Sequence, residues 1–173
     1  MRFFLLMALL FSAFPTLHAE DDDTPEIQRN LVGLKLGDKL KKVQALCPPA
    51  AEWPFTEVSD GVRRYRVDRA VAKSLPPSVE VLFLGLKKGR LVEIQAVYNE
   101  EKSRAKSVDK LAGDYALYYG EARRAGEKFW WSDKKTVLRI FSAEIPVAKS
   151  AAKAVVLRTA VQIFDARIVS RGE

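Results

Sequence analysis

The chain predicts an α+β fold in which an antiparallel sheet carries two helices packed on one face, in the order helix, three strands, helix, three strands. Three observations carry this prediction. Residues 79–86 and 91–98 are dense in Val, Leu, Ile and aromatic side chains and are joined by Lys87-Lys88-Gly89-Arg90, the length and chemistry of a hairpin loop. Over residues 103–119 the apolar period switches to that of a helix, with Val108, Leu111, Tyr115 and Tyr118 on one face. The helices are too few, and the links between strands too short, for the crossovers of a parallel sheet.

Taken in order, the chain opens on Arg2 followed by an apolar run over 3–14 and the small-residue site Leu17-His18-Ala19, which reads as a signal peptide over 1–19 cleaved after Ala19. That run is shorter than the ~20 apolar residues a spanning helix needs, so no transmembrane anchor is expected. Residues 20–30 form an acidic flexible start. Glu20-Asp21-Asp22-Asp23 lacks the ligand spacing and glycine of a calcium loop.

A single domain is expected over 31–165, with a flexible tail over 166–173. It begins with Leu34 and Leu36, a Gly37-Asp38 turn, and a short helix with Leu40, Val43 and Cys47 on its buried face, Asp38 as N-cap and Pro48-Pro49 as the stop. Lys39, Lys41 and Lys42 crowd the first turn, where cations oppose the helix dipole, and Lys41 stands where a capping box carries Glu or Gln. A loop over 50–61 holds Trp53 and Phe55. Residues 62–68 alternate as a strand, and 69–78 connect it to the hairpin. Along 91–98 the set Val92, Ile94, Ala96, Tyr98 carries no charge or amide and is expected to face inward.

Gly120 follows the helix of 103–119 at the C′ position. Residues 127–132 and 136–142 form a second hairpin across Asp133-Lys134-Lys135, 143–153 a connection, and 154–164 a β-branched strand. Each half thus offers a helix and then a hairpin with a basic tip. That suggests a degenerate tandem repeat, although the residues of the halves do not align well enough to establish it.

Twenty-nine Lys and Arg oppose 22 Asp and Glu, for a formal charge of +7, and the excess belongs to the folded part. For an exported protein this favours anionic envelope partners over nucleic acid: phospholipid or lipopolysaccharide head groups, cell-wall polymers, or an acidic protein surface. Solubility alone accounts for it equally well. The single cysteine, Cys47, leaves no disulfide framework and reads as a small buried hydrophobe.

The one histidine is His18, in the signal peptide, so the processed chain lacks Ser-His-Asp and Cys-His catalysis and every histidine metal site. No phosphate loop or dinucleotide-binding glycine pattern is present. Glu93, Glu121, Asp133 and Asp165 are the carboxylates available for a glycosidase pair, and nothing in the spacing sets two of them across a cleft. A non-enzymatic protein without cofactor or metal is expected.

The run Gly33-Leu34-Lys35-Leu36-Gly37-Asp38, followed by Val43, Leu46 and Pro48, a strand, and residues 91–98 after a Lys-Gly-Arg turn, resembles exported bacterial modules of the SmpA/OmlA and β-lactamase-inhibitor-protein-like families. The likeness covers mainly 31–98. It implies an α+β binding module acting on proteins of the bacterial envelope. This chain departs from the pattern at Asp38, where Ser or Thr is common, at Lys41, and in lacking a lipobox cysteine.

Two functions follow as expectations. In one, the protein is a periplasmic or secreted module that holds another protein through a sheet face or its hairpin tips. In the other, it binds an anionic envelope ligand through those tips, with Lys87, Lys88 and Arg90 on one and Lys134 and Lys135 on the other, and with Arg63, Arg64 and Arg66 nearby if the strands adjoin. Lysine at hairpin tips also serves simply to prevent edge pairing. Trp130 and Trp131 complete the candidate binding residues. As neighbours on a strand they must face opposite ways, one into the core.

Overall fold

The computed structural model describes residues 25–47, 55–58, 61–146 and 155–169. The expected signal peptide with its expected cleavage after Ala19, the acidic run 20–23, Pro48-Pro49, Trp53 and the end of the expected C-terminal tail lie outside these residues.

The fold is α+β, with a large antiparallel sheet and, among the described residues, four helices. A small hairpin of β1 (Asn30–Leu31) and β2 (Leu34–Lys35) precedes α1 (Leu40–Leu46). Four strands follow: β3 (Phe55–Val58), β4 (Val62–Asp68), β5 (Val79–Lys87) and β6 (Arg90–Tyr98). Two helices, α2 (Glu100–Ala105) and α3 (Val108–Tyr119), lead to β7 (Arg123–Ala125), β8 (Lys128–Ser132), β9 (Thr136–Pro146) and β10 (Val155–Asp165), and α4 (Ala166–Val169) closes the described chain. The eight-stranded sheet runs in the order β3-β4-β5-β6-β10-β9-β8-β7.

Each half is therefore a helical segment, α1 in the first and α2 with α3 in the second, followed by a four-stranded meander, and the halves join through their last strands. Gln95 of β6 lies opposite Gln162 of β10 at this seam. Leu82 and Leu84 of β5 and Leu138 and Ile140 of β9 take corresponding places, in the third strand of each half and in one core. The two halves share the number and order of their strands and differ in their helices, one against two.

The sequence order is corrected in several places. Phe55–Val58 is a strand within the expected loop, and Arg123–Ala125 adds an edge strand before the second hairpin. The expected helix over 103–119 is two helices, because Ser107 is extended (φ −60, ψ 166) and caps α3, while Asn99 caps α2. Residues 143–146, expected as connection, continue β9, where Ala143–Pro146 pair with Val155–Arg158. Asp38 is not the N-cap of α1. Its carboxylate accepts from the Lys35 amide and the Lys42 ammonium, closing the turn before the helix, and Lys39 holds the cap position without a side-chain bond.

Of the expected flexible start, residues 25–30 are held in place, because Ile27 is buried in the core and its amide donates to Asp133 Oδ2 at 2.7 Å. The expected tail begins instead as α4, and Asp165 before it is buried. In β6 the inward set is broken at its start. A register shift between Gly85 and Leu86 turns Leu91 into the core and leaves Val92 half-buried, while Ile94 and Ala96 face inward as expected.

The main core sits between one sheet face and the helices. Val43 of α1, Cys47 at its C-cap, and Leu111 and Ala112 of α3 join Val67, Leu82, Leu84, Ile94, Ala96, Leu138, Ile140, Val161 and Ile163 in one buried cluster. Tyr118, read as part of the buried helical face, is 74% exposed, since α3 rests on Leu111, Ala112 and half-buried Tyr115. Cys47 is fully buried, and burial pushes its thiol up to about 11, so it carries no thiolate at neutral pH. Among the described residues no helix is long and apolar enough to cross a membrane.

Candidate binding surfaces

Strand geometry sends alternate side chains to the sheet face away from the main core. There a second, smaller cluster forms from Val81, Val97, Ala143, Ile145 and Ala160, with Phe83, Phe141 and Val156 packed against it, and no helical residue belongs to it. Cross-strand register places Arg66, Phe83, Gln95, Gln162, Arg139, Trp130 and Arg123 side by side across seven strands. At ~4.8 Å per strand the row is about 29 Å long. Arginine and aromatic side chains, which the row carries in Arg66, Phe83, Arg139, Trp130 and Arg123, are the types enriched at protein contact surfaces.

A polar network braces the row. Arg64 Nη2 is 3.1 Å from Glu93 Oε1 and also donates to Gln95 Oε1, while Gln162 Nε2 donates to Glu93 Oε1 at 2.7 Å. The Arg64 guanidinium lies 4.7 Å from the Phe83 ring centre, and Arg139 lies 4.6 Å from that of Phe164, both at cation–π distance. Gly85 makes room for this. A Cβ there would sit 2.7 Å from Glu93 Cβ and 2.9 Å from its Oε2. Arg64 Nε is buried without a hydrogen-bond partner among the described residues, an unsatisfied donor facing into the network. Glu93 is thus a structural brace on this face and has no second carboxylate beside it in the network.

The candidate residues from sequence are distributed differently from one another. Trp131 is buried under α3, its indole donating to the Gly120 carbonyl at 2.9 Å, with Tyr115 and Tyr119 rings 6.2 and 6.5 Å away. Trp130 is half-buried on the opposite face, within the row. The two basic tips share one end of the sheet but do not form one site, because β10 runs between β6 and β9 and residues 26–29 are fastened beside it. There Arg29 donates to the Lys135 carbonyl at 2.8 Å and to Asp165 at 3.0 Å, and Lys135 Nζ lies 3.2 Å from Glu26. Exposed Lys134 is also engaged.

The first tip is a two-residue turn, Lys88 and Gly89, both with positive φ (49° and 71°). It meets the start of α1. Leu40 N donates to the Gly89 carbonyl at 3.0 Å, Leu91 N to the Asp38 carbonyl at 2.9 Å, and Lys39 bridges Arg90 through the backbone. Exposed Lys39, Lys41, Lys42, Lys88 and Arg90 therefore converge, with half-buried Lys87 beside them. Asp38 is their acidic neighbour among the described residues. Burial raises its pKa, but bonds from Lys42 and the Lys35 amide outweigh that and hold it below the usual carboxylate range.

Sequence reasoning named both basic tips but missed this convergence, since nothing local ties residue 39 to residue 90. It also missed Glu93 and Gln162 as partners. The signal available was the polar pair Glu93 and Gln95 alternating with Ile94, and Gln162 as the one amide in a β-branched strand. A cleft of about 510 Å³ between α2, α3 and β10, lined by Arg104, Arg124, Arg158 and hydroxyls of Ser103, Ser142 and Thr159, was not anticipated. Its arginines are matched by Glu100, Asp109 and Glu80.

The fold defines a class, an α+β protein of two sequential helix-and-meander halves sharing one antiparallel sheet. Comparison with family models, curated proteins and solved structures gives no match for this chain.

Proposed function

We propose that the protein is a non-enzymatic, exported binding module of the bacterial envelope that holds another protein through the sheet face away from its main core. The row Arg66, Phe83, Gln95, Gln162, Arg139, Trp130, Arg123 supports this reading, because it sets arginine and aromatic anchors on rigid strands with no helical residue in the cluster beneath them. The surplus of arginine along it favours a partner with an apolar centre and an acidic rim. The resemblance to SmpA/OmlA and β-lactamase-inhibitor-protein-like modules points the same way. A signal peptide over 1–19 would deliver the protein to the periplasm or beyond.

The reading is tested by placing a photo-cross-linking residue at Trp130 or at Gln162, and a control at Leu117, which is 85% exposed on α3. One discrete adduct in the cell envelope from the sheet positions, retained in moderate salt and absent from Leu117, is expected. Equal labelling from Leu117, or no adduct from the sheet positions, overturns it. The alternative, an anionic envelope ligand bound through the basic hairpin tips, finds less support at the second tip, where Lys135 pairs with Glu26 and Lys134 is engaged within the chain.

A further inference from the structure

We propose that the end of the molecule built from the first turn of α1 and the Lys88-Gly89 turn docks on a bilayer surface bearing anionic phospholipid. The proposal is independent of the sheet-face reading. It rests on the convergence of Lys39, Lys41, Lys42, Lys88 and Arg90, all exposed, around one acidic side chain among the described residues. That carboxylate, Asp38, is already bound by Lys42 at 3.0 Å and by the Lys35 amide. The patch therefore presents uncompensated positive charge to whatever approaches it.

Three features favour a lipid surface over a soluble anion. The cations project from a turn and from a helix start, Lys42 also bordering an open cleft of about 430 Å³ beside the β1–β2 hairpin, so spread over this surface they suit a layer of charge more than a single ion. They are mostly lysines, which are hydrated point charges and lack the planar fork that grips one phosphate in two places. Apolar side chains stand at the margin, with Leu46 36% exposed on α1 and half-buried Val32 in the turn of the small β1–β2 hairpin alongside. Lysines held near an anionic leaflet with a little apolar surface beside them match the requirements of reversible interfacial binding.

The patch also explains a local conflict in the sequence. Lys39 and Lys41 oppose the dipole of α1 and occupy positions where Ser, Asp or Glu would stabilise the helix start. Keeping lysine there sacrifices helix stability, and Lys88 and Arg90 next to them extend the same positive patch.

The test is vesicle flotation of the protein as isolated from the producing cell, using phosphatidylcholine vesicles with and without phosphatidylglycerol. Binding only to the phosphatidylglycerol vesicles, and its loss in moderate salt as the screening length falls toward ~8 Å, is expected. Each neutralised lysine should weaken partitioning about fivefold, so the triple variant K39Q, K41Q, K88Q should lose about a hundredfold. The double variant K134Q, K135Q at the other tip should stay within a few-fold of the parent. All forms keep the same N-terminal residues, so any contribution of those cancels, and an unchanged thermal midpoint confirms that each is folded. Equal binding to phosphatidylcholine alone, or an equal loss in the K134Q, K135Q variant, overturns the proposal. So does binding of inorganic polyphosphate or duplex DNA without binding of either vesicle.

Discussion

At the scale of single residues, Asp165 shows how far apart the decisive partners lie. Its place in the sequence is the last residue before an expected flexible tail, yet it is 5% exposed and accepts from Arg167 at 2.7 and 2.8 Å and from Arg29 at 3.0 Å. The Arg167 bonds hold its carboxyl well below the usual carboxylate range, burial works against them, and Arg29 reinforces them. A carboxylate whose folded pKa is depressed contributes stability above its unfolded value near 3.9, and that stability is lost as pH falls through the folded value. Asp165→Asn should therefore cost about 1–3 kcal/mol at pH 7, and the gap to the parent should narrow below about pH 4. Urea midpoints of both proteins at pH 7 and pH 3 measure this, and a gap that widens at pH 3 contradicts it. Arg29 is 136 residues away, and no local pattern announces such a partner. Cys47, by contrast, was legible as a buried hydrophobe, because its place on the Leu40, Val43, Cys47 face is set by helical spacing alone.

At the scale of elements, periodicity identified the strands and the helical region but not where each begins. The β5–β6 hairpin was readable because alternation and a Lys-Gly turn lie within twenty residues of chain. The split between α2 and α3 was not, since Lys106 and Ser107 carry no Pro or Gly to mark it. Their caps differ in quality. Asn99 accepts from the Lys102 amide at 2.8 Å, whereas the bond from the Lys110 amide to Ser107 is 3.5 Å long. Asn99→Ala should lower stability by about 1 kcal/mol, and Ser107→Ala by clearly less. Thermal unfolding of the two variants side by side tests the ranking, and a larger loss from Ser107→Ala would reverse it. The length of β9 was missed for a related reason. Residues 143–146 read as a connection because of Ala and Pro, but pairing with Val155–Arg158 supplies the order that their own propensity lacks.

For the whole molecule, the seam between β6 and β10 makes one folding unit of two similar halves. Gln95 meets Gln162 there, and Ile94, Ala96, Val161 and Ile163 belong to the same core as the third strands of both halves. Each half alone would expose a long central strand edge and one side of that core. Unfolding should thus be a single transition, with far-ultraviolet dichroism and tryptophan fluorescence coinciding along a urea titration. Two separated transitions would show that the halves are independent. By itself the sequence determined that this is an α+β chain with an antiparallel sheet, with Cys47 buried and adjacent tryptophans on opposite faces, since spacing along the chain fixes which side chains share a face. Only the tertiary structure decided that Lys39 meets Arg90, that Glu93 is braced by Arg64 and Gln162, and that seven strands align one row of arginine, aromatic and amide groups. Those contacts are set by strand order and register, and residues brought together from distant parts of a chain leave no periodic trace in it.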